Sequence, residues 1–276
     1  MMVIESKHGG SGMRLRFTKY HGLGNDFIFI EDLGRNLVPN AERLAESLCH
    51  RKTGIGADGL VLIARSNDLY SMQIFNSDGT QAEMCGNAIR CMARHSVDEK
   101  NFTEPVLRIE TVGGVKEVHI HHQLYAVDMG EPDLSFNSEE PVEIFLDGKE
   151  WIVHPVSMGN PHGVAIVPDL DSLDFHKWGP ILESHPVWPN KANIEFVQVL
   201  DRDYVRVRVW ERGAGPTLAC GTGACAAVVV CARLGLTERE VTVSLPGGDL
   251  LIEWAPNNHV WMTGPAVRVF SGEVEV

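Results

Sequence analysis

"MCGNAIRCMAR" spans Met84–Arg94, and "ACGTGACAAVV" spans Ala219–Val229. Each sets Cys-Gly and a small polar residue at the head of a run that reads as a helix. The second run continues as "GACAAVVVCARLGL" and is apolar on every side from Ala224 to Ala232. A helix without a polar face is enclosed rather than laid on a surface. Arg233 in its last turn and Gly235 just beyond suit its end. The Cys85 run is less uniform but carries Ala88, Ile89, Met92 and Ala93.

The remainder reads mostly as short strands. "FIFIED" (27–32), "LVLIAR" (60–65), "SMQIFN" (71–76) and "VLRIET" (106–111) are rich in β-branched and aromatic residues. "PVEIFLDGKEWIVHPV" has Asp147-Gly148 at its centre, a hairpin signal. "YVRVRVW" alternates, with Val205, Val207 and Val209 on one face. "AERLAESLCH" (41–50) predicts a surface helix capped by Asn40. An apolar helix among many strands implies a mixed α/β fold in which a sheet curls around a helical core.

The chain also repeats itself. Cys85 and Cys220 lie 135 residues apart, as do Asn25 and Asn160, Asn76 and Glu211, and Asp58 and Asn193. Four anchors at one offset, in matching strand and helix contexts, indicate an internal duplication. The halves are expected at 13–130 and 131–265, with the last strand, near 266–276, returning to the first. Residues 1–12, "MMVIESKHGGSG", lack the apolar run of a secretory signal and read as a disordered extension.

A formal net charge of −13 disfavours nucleic acid and anionic membrane as partners. No apolar run has the length of a membrane span. These features place the chain in the cytoplasm, where the six cysteines are expected as reduced thiols. No C-x-x-C pair occurs, and Cys220 and Cys225 sit about 140° apart around a helix, so no metal is expected. Cys49, Cys91, Cys225 and Cys231 read as small apolar core residues.

Cys85 and Cys220 differ, because each stands where a helix presents unpaired N–H groups and its positive dipole end. Thiols so placed have pKa values of about 3.5–7.5. The same N–H groups can hold a carboxylate, and Gly86 and Gly221 allow it close to the backbone. Two such turns facing one another put a sulfur on each face of the carbon beside that carboxylate. One sulfur as thiolate can remove a proton while the other as thiol returns one to the opposite face, inverting the stereocentre. The plainer reading of any buried cysteine is a small hydrophobe, and two thiols facing one cavity can also oxidise to a disulfide.

"KYHGLGNDF", "GIGADG", "FNSDGTQAEMCGNAIR", "GNPH", "ANIEFV", "WERGAGPTLACGTGACA" and "LPGG", in that order, resemble the diaminopimelate epimerase family. The resemblance covers nearly all of residues 13–276. It implies two pseudo-symmetric domains, each a β-barrel-like sheet around a central helix. It implies interconversion of LL- and meso-2,6-diaminopimelate, a step of lysine and peptidoglycan-precursor synthesis, with no cofactor and in a homodimer. Cys85 and Cys220 match the acid/base pair, and His162 and Glu211 match positions of catalytic importance. Gly86, Asn87, Gly221 and Thr222 would bind the reacting carboxylate. Asn25, Asn76, Asn160, Asn193, Glu211 and Arg212 would hold the rest of the substrate. Gly59 stands where some relatives have Gln, so only its backbone can contribute. Phe270 stands where some relatives have a tyrosine at the dimer interface.

The residue chemistry agrees: an amino acid at both ends brings two carboxylates and two ammonium groups. Arg212 offers a fork to the distal carboxylate, and asparagines donate as well as accept. Set against this are turn-making roles for Asn25 and Asn160, a surface charge for Arg212 and an ordinary loop histidine at 162. A proline or hydroxyproline racemase would use the same thiols but needs no distal clamp. A phenazine-type isomerase lacks the thiol pair. A non-catalytic amino-acid-binding protein needs no thiol on each side, and no lysine sits in a Schiff-base motif.

Overall fold

The structure, a computed structural model, describes residues 13–32, 40–66, 69–82, 84–100, 102–136 and 140–276. The extension expected at 1–12 lies outside them. The first half runs β1 (Arg14–Gly22), β2 (Asn25–Glu31), α1 (Ala41–Cys49), β3 (Gly59–Ser66), β4 (Leu69–Asn76), β5 (Gln81–Ala82), α2 (Gly86–Lys100), β6 (Val106–Thr111), β7 (Gly114–His121) and β8 (Leu124–Asp128). The second runs β9 (Val142–Leu146), β10 (Lys149–Ser157), β11 (Pro161–Ile166), α3 (Phe175–Glu183), β12 (Asn193–Asp201), β13 (Tyr204–Glu211), β14 (Gly215–Pro216), α4 (Gly221–Arg233), β15 (Glu240–Leu245), β16 (Gly248–Trp254), β17 (Val260–Pro265) and β18 (Val267–Glu275).

The pairings repeat. In the first half β1 pairs β2, β2 runs parallel to β3, β3 pairs β4, β4 runs parallel to β6, and β7 joins β6 to β8. The second half repeats this from β10 through β17. β18 crosses back to pair β1, as β9 pairs β10, and β8 pairs β17, so one sheet holds 18 strands. Among the described residues no ladder joins β18 to β8 or β9 to β17. Each half-sheet therefore wraps its helix without closing.

One of the four anchors slips. Phe27 lies opposite Gly59, whereas His162 lies opposite Asn193. The counterpart of Asn193 is thus Gly59, 134 residues earlier, not Asp58. The β2-to-β3 segment is one residue longer than its copy. Gly59 is tightly enclosed: a Cβ there would stand 2.8 Å from the Phe75 carbonyl oxygen and 3.3 Å from the Phe27 ring.

Local chemistry accounts for the elements. Asp147 and Gly148 both have positive φ, 50° and 76°, as a type I′ hairpin turn requires. Asn40 Oδ1 accepts from Arg43 N at 3.3 Å and caps α1. α4 buries every residue from Gly223 to Cys231, and strands β10 to β13 and β15 to β17 pack around it. It ends as expected, with Gly235 at φ 71°. α2 lies against β1, β7, β8, β17 and β18, and touches α4. The head of each central helix therefore points to the join between the halves.

Candidate active site

Asn25 heads β2 and Cys85 immediately precedes α2. The Cys85 thiol lies 3.8 Å from Asn25 Oδ1, which also accepts from Asn87 Nδ2 at 3.0 Å. Asn25 is held from behind, its own Nδ2 donating to Asp58 Oδ2 at 2.8 Å. Arg51 bonds both Asp58 and Asp26, and Lys19 reaches Asp26 at 2.8 Å. A charged lattice thus fixes which way the Asn25 amide faces. Behind Asn87, the fully buried Arg90 donates to Asn87 Oδ1 at 2.8 Å and to the Pro265 carbonyl at 3.3 Å.

The second half builds a comparable cluster. Cys220 caps α4, its sulfur accepting from Gly223 N at 3.4 Å and lying 3.5 Å from Thr222 Oγ1. Asn160 Nδ2 donates to Thr222 Oγ1 at 3.3 Å, and Asn160 Oδ1 meets His162 Nε2 at 2.9 Å. His162 is fully buried, its Nδ1 2.8 Å from Glu195 Oε1. Thr217 Oγ1 donates to Glu211 Oε1 at 2.5 Å. Asn193 gives both polar ends to backbone, donating to Pro161 O at 2.8 Å and accepting from Arg212 N at 2.9 Å. It braces the turn from which Arg212 extends into solvent.

The clusters meet. Asn87 Nδ2 also donates to the Ala219 carbonyl at 3.3 Å, one residue before Cys220. Buried Met262 of β17 lies between the two helix starts. A Cβ on Gly86 would run into its methyl carbon, and one on Gly221 would stand 2.9 Å from its sulfur. Glycine is required at both positions by that close approach. The "LPGG" motif serves the same join: Gly247 donates to the Leu218 carbonyl, and a Cβ there would collide with the Leu23 carbonyl oxygen.

The thiols differ from expectation in one respect. Burial pushes Cys85 above its ordinary pKa, with the Glu211 charge adding to it. The Asn87 and Ala88 amides oppose by less. Cys220 is raised further, by burial and then by Glu211 and Glu195, against Thr222 and Gly223. The helix ends do lower both thiols, but desolvation exceeds them. Burial likewise raises Glu211, partly offset by Thr217.

Two expected residues make no side-chain hydrogen bond to these clusters among the described residues. Asn76 is exposed and donates to Thr80 Oγ1 at 3.0 Å within its own turn. Phe270 lies on β18, 45 % exposed and edge-on to Phe17 at 5.7 Å. Sequence reasoning overlooked Glu195. Its signal was a carboxylate on the face of β12 shared with Val197, which is core. Met262 carried no signal at all.

Solved structures share the fold. A putative phenazine biosynthesis PhzC/PhzF protein from Clostridium difficile aligns with TM-score 0.70 at 14% identity, covering 95% of this chain and 100% of that one. A probable proline racemase from Agrobacterium radiobacter aligns with TM-score 0.70 at 13% identity, covering 95% and 93%. Sequence relatives are much nearer. Diaminopimelate epimerase of Acetivibrio thermocellus is 50% identical, over 95% of this chain and 99% of its own length. That of Desulfitobacterium hafniense is 46% identical, over 94% and 97%, and that of Synechocystis 47%, over 96% and 100%. The family profile described as diaminopimelate epimerase matches residues 17–135 and 155–269. With both cysteine turns inside those matched segments, the chain belongs to the diaminopimelate epimerase family.

Proposed function

We propose that the chain is an isomerase that interconverts LL- and meso-2,6-diaminopimelate by a two-thiol mechanism without pyridoxal phosphate. It acts as a cytoplasmic homodimer, with Phe270 of exposed β18 in the interface, in lysine and peptidoglycan-precursor synthesis. One observation carries the reading: two cysteine-headed helices start at the same join, tied by the Asn87–Ala219 bond and separated by Met262.

The reacting carboxylate sits between the Gly86-Asn87 and Gly221-Thr222 turns and accepts N–H bonds from both. A sulfur then faces each side of the α-carbon. One, as thiolate, takes the α-proton; the other, as thiol, delivers a proton to the opposite face. Reversal exchanges their roles. Charge gathering on the carboxylate is stabilised by amides that need no reorganisation. In the free protein both thiols are raised by burial and Glu211. The incoming α-ammonium counters the Glu211 charge and makes ionising one of them easier. Exposed Arg212, which makes no ion pair with a described residue, takes the distal carboxylate. Asn25, Asn76, Asn160, Asn193 and the Gly59 backbone order the remainder, and His162 and Glu211 serve Cys220.

The test is α-carbon exchange with solvent deuterium, with no cofactor added, using diaminopimelate and proline in parallel. Exchange of diaminopimelate alone is expected. Exchange of proline alone would overturn the assignment.

A further inference from the structure

The duplication supplies an internal control for each residue of the site. Opposite one another in their ladders stand Phe27 and Gly59, and His162 and Asn193. Two residues beyond Gly59 and Asn193 come Val61 and Glu195. His162 thus occupies the place of Phe27, and Glu195 that of Val61. Phe27 and Val61 are apolar core, 4 % and 0 % exposed. His162 and Glu195 are equally buried but polar, with Nδ1 and Oε1 2.8 Å apart. The fold fills these positions without polar atoms in its first half. A buried hydrogen-bonded polar pair is seldom more stable than an apolar pair of similar volume, so stability alone does not explain it.

The pair is aimed at Cys220. A Cβ on Gly223 would stand 2.6 Å from Glu195 Oε1 and 3.2 Å from Cys220 Sγ, so carboxylate and thiol border one space. Glu195 Oε2 is buried there without a hydrogen-bond partner. From His162 Nε2 a chain runs through Asn160 and Thr222 to the Cys220 sulfur, with links of 2.9, 3.3 and 3.5 Å. Asn160 gives its N–H to Thr222 and turns its oxygen to His162, so Nε2 carries a proton. Nδ1 faces Glu195 Oε1 at 2.8 Å. The chain from Cys85 runs instead through Asn25 to Asp58, a half-exposed carboxylate, because Phe27 and Val61 offer no buried polar partner.

We propose that Glu195 is a positioning residue for the chemistry at Cys220: it fixes the His162 ring, and through Asn160 and Thr222 the direction of the Cys220 sulfur. This rests on the two-thiol epimerase reading of the site and extends it to the buried carboxylate. The Glu195 charge also adds to the field, with Glu211, that keeps Cys220 protonated.

Two variants test it, Glu195→Gln and the double His162→Phe/Glu195→Val, which copies the first half into the second. Turnover of diaminopimelate, melting temperature, and iodoacetamide alkylation of Cys220 relative to Cys85 by peptide mass spectrometry are read for each. Glu195→Gln is expected to lower kcat by about 100-fold with little change in KM. Its Cys220-to-Cys85 alkylation ratio is expected to rise several-fold. The double variant is expected to melt no lower than the wild type and to share the loss of kcat. A folded Glu195→Gln protein with unchanged kcat and unchanged alkylation ratio overturns the proposal, as does a folded, fully active double variant. If the wild type itself fails to turn over diaminopimelate, the epimerase reading falls, and the alkylation ratio alone still decides the role of Glu195.

Discussion

The Asn87 side chain, in the first turn of α2, donates to the Ala219 carbonyl immediately before Cys220, and so ties one cysteine turn to the other at 3.3 Å. The same Nδ2 serves Asn25, and Oδ1 accepts from buried Arg90. Asn87→Ala leaves all three partners short of a bond. Such a loss costs roughly 1–3 kcal/mol per buried group. Urea denaturation is expected to show destabilisation of at least that size, with kcat falling as well. Asn87→Asp keeps a partner for Arg90 but sets an acceptor-only oxygen against Asn25 Oδ1 and the Ala219 carbonyl, so it should recover little of the stability, and it should bind diaminopimelate more weakly, because the new charge faces the substrate carboxylate.

Each sulfur is assigned one face of the α-carbon, so neither can replace the other. Cys85→Ser and Cys220→Ser are each expected to abolish racemising turnover while binding of diaminopimelate, followed by calorimetry, stays within several-fold of wild type. A serine variant with near-normal turnover would remove that sulfur from the mechanism.

Glu211 raises both thiols, after burial itself. In the free enzyme both are therefore protonated at neutral pH, and alkylation should accelerate only above the ordinary thiol range. Glu211→Gln removes the negative charge and lowers both thiol pKa values, so alkylation of Cys85 and Cys220 at pH 8 should be faster than in the wild type. Slower alkylation would contradict the electrostatic account, even though loss of turnover is expected in either case.

The lattice behind Asn25 should appear in acid stability. Burial pulls the Asp26 carboxyl upward, but bonds and charges from Arg51 and Lys19 outweigh it and hold it below its usual range. A depressed carboxyl contributes stability above the unfolded value of about 3.9 and loses it as pH falls through the folded value. Asp26→Asn is expected to cost roughly 3–5 kcal/mol at pH 7, since it leaves Lys19 partly buried without its partner. The gap between variant and wild type in chemical denaturation should narrow as the pH is lowered toward 3.

Much of this was legible in the sequence, because strands and central helices follow local pattern. The alternation of "YVRVRVW" and the all-round apolarity of "GACAAVVVCA" each admit one burial solution. The helix Phe175–Glu183 was missed because Gly179-Pro180 in its middle reads as a break. Gly179 is there because a Cβ would collide with the Trp210 ring on which the helix lies. The duplication points to this helix, as the copy of Ala41–Cys49. The one-residue slip at Gly59 could not be read, since it depends on strand register and not on spacing. The sign of the thiol shifts was also hidden: helix-end stabilisation is local, whereas desolvation depends on everything packed around the cleft.

The central claim is that two different sulfurs work on opposite faces of one carbon. Epimerisation of LL-diaminopimelate in deuterium oxide, stopped at a few per cent conversion, tests it most directly. The thiol that donates carries solvent deuterium, while the thiolate that abstracts can only return the proton it removed. The meso product is therefore predicted to carry deuterium at the inverted carbon while recovered LL substrate stays unlabelled. Equal early labelling of both, the mark of one group serving both faces, would contradict the account.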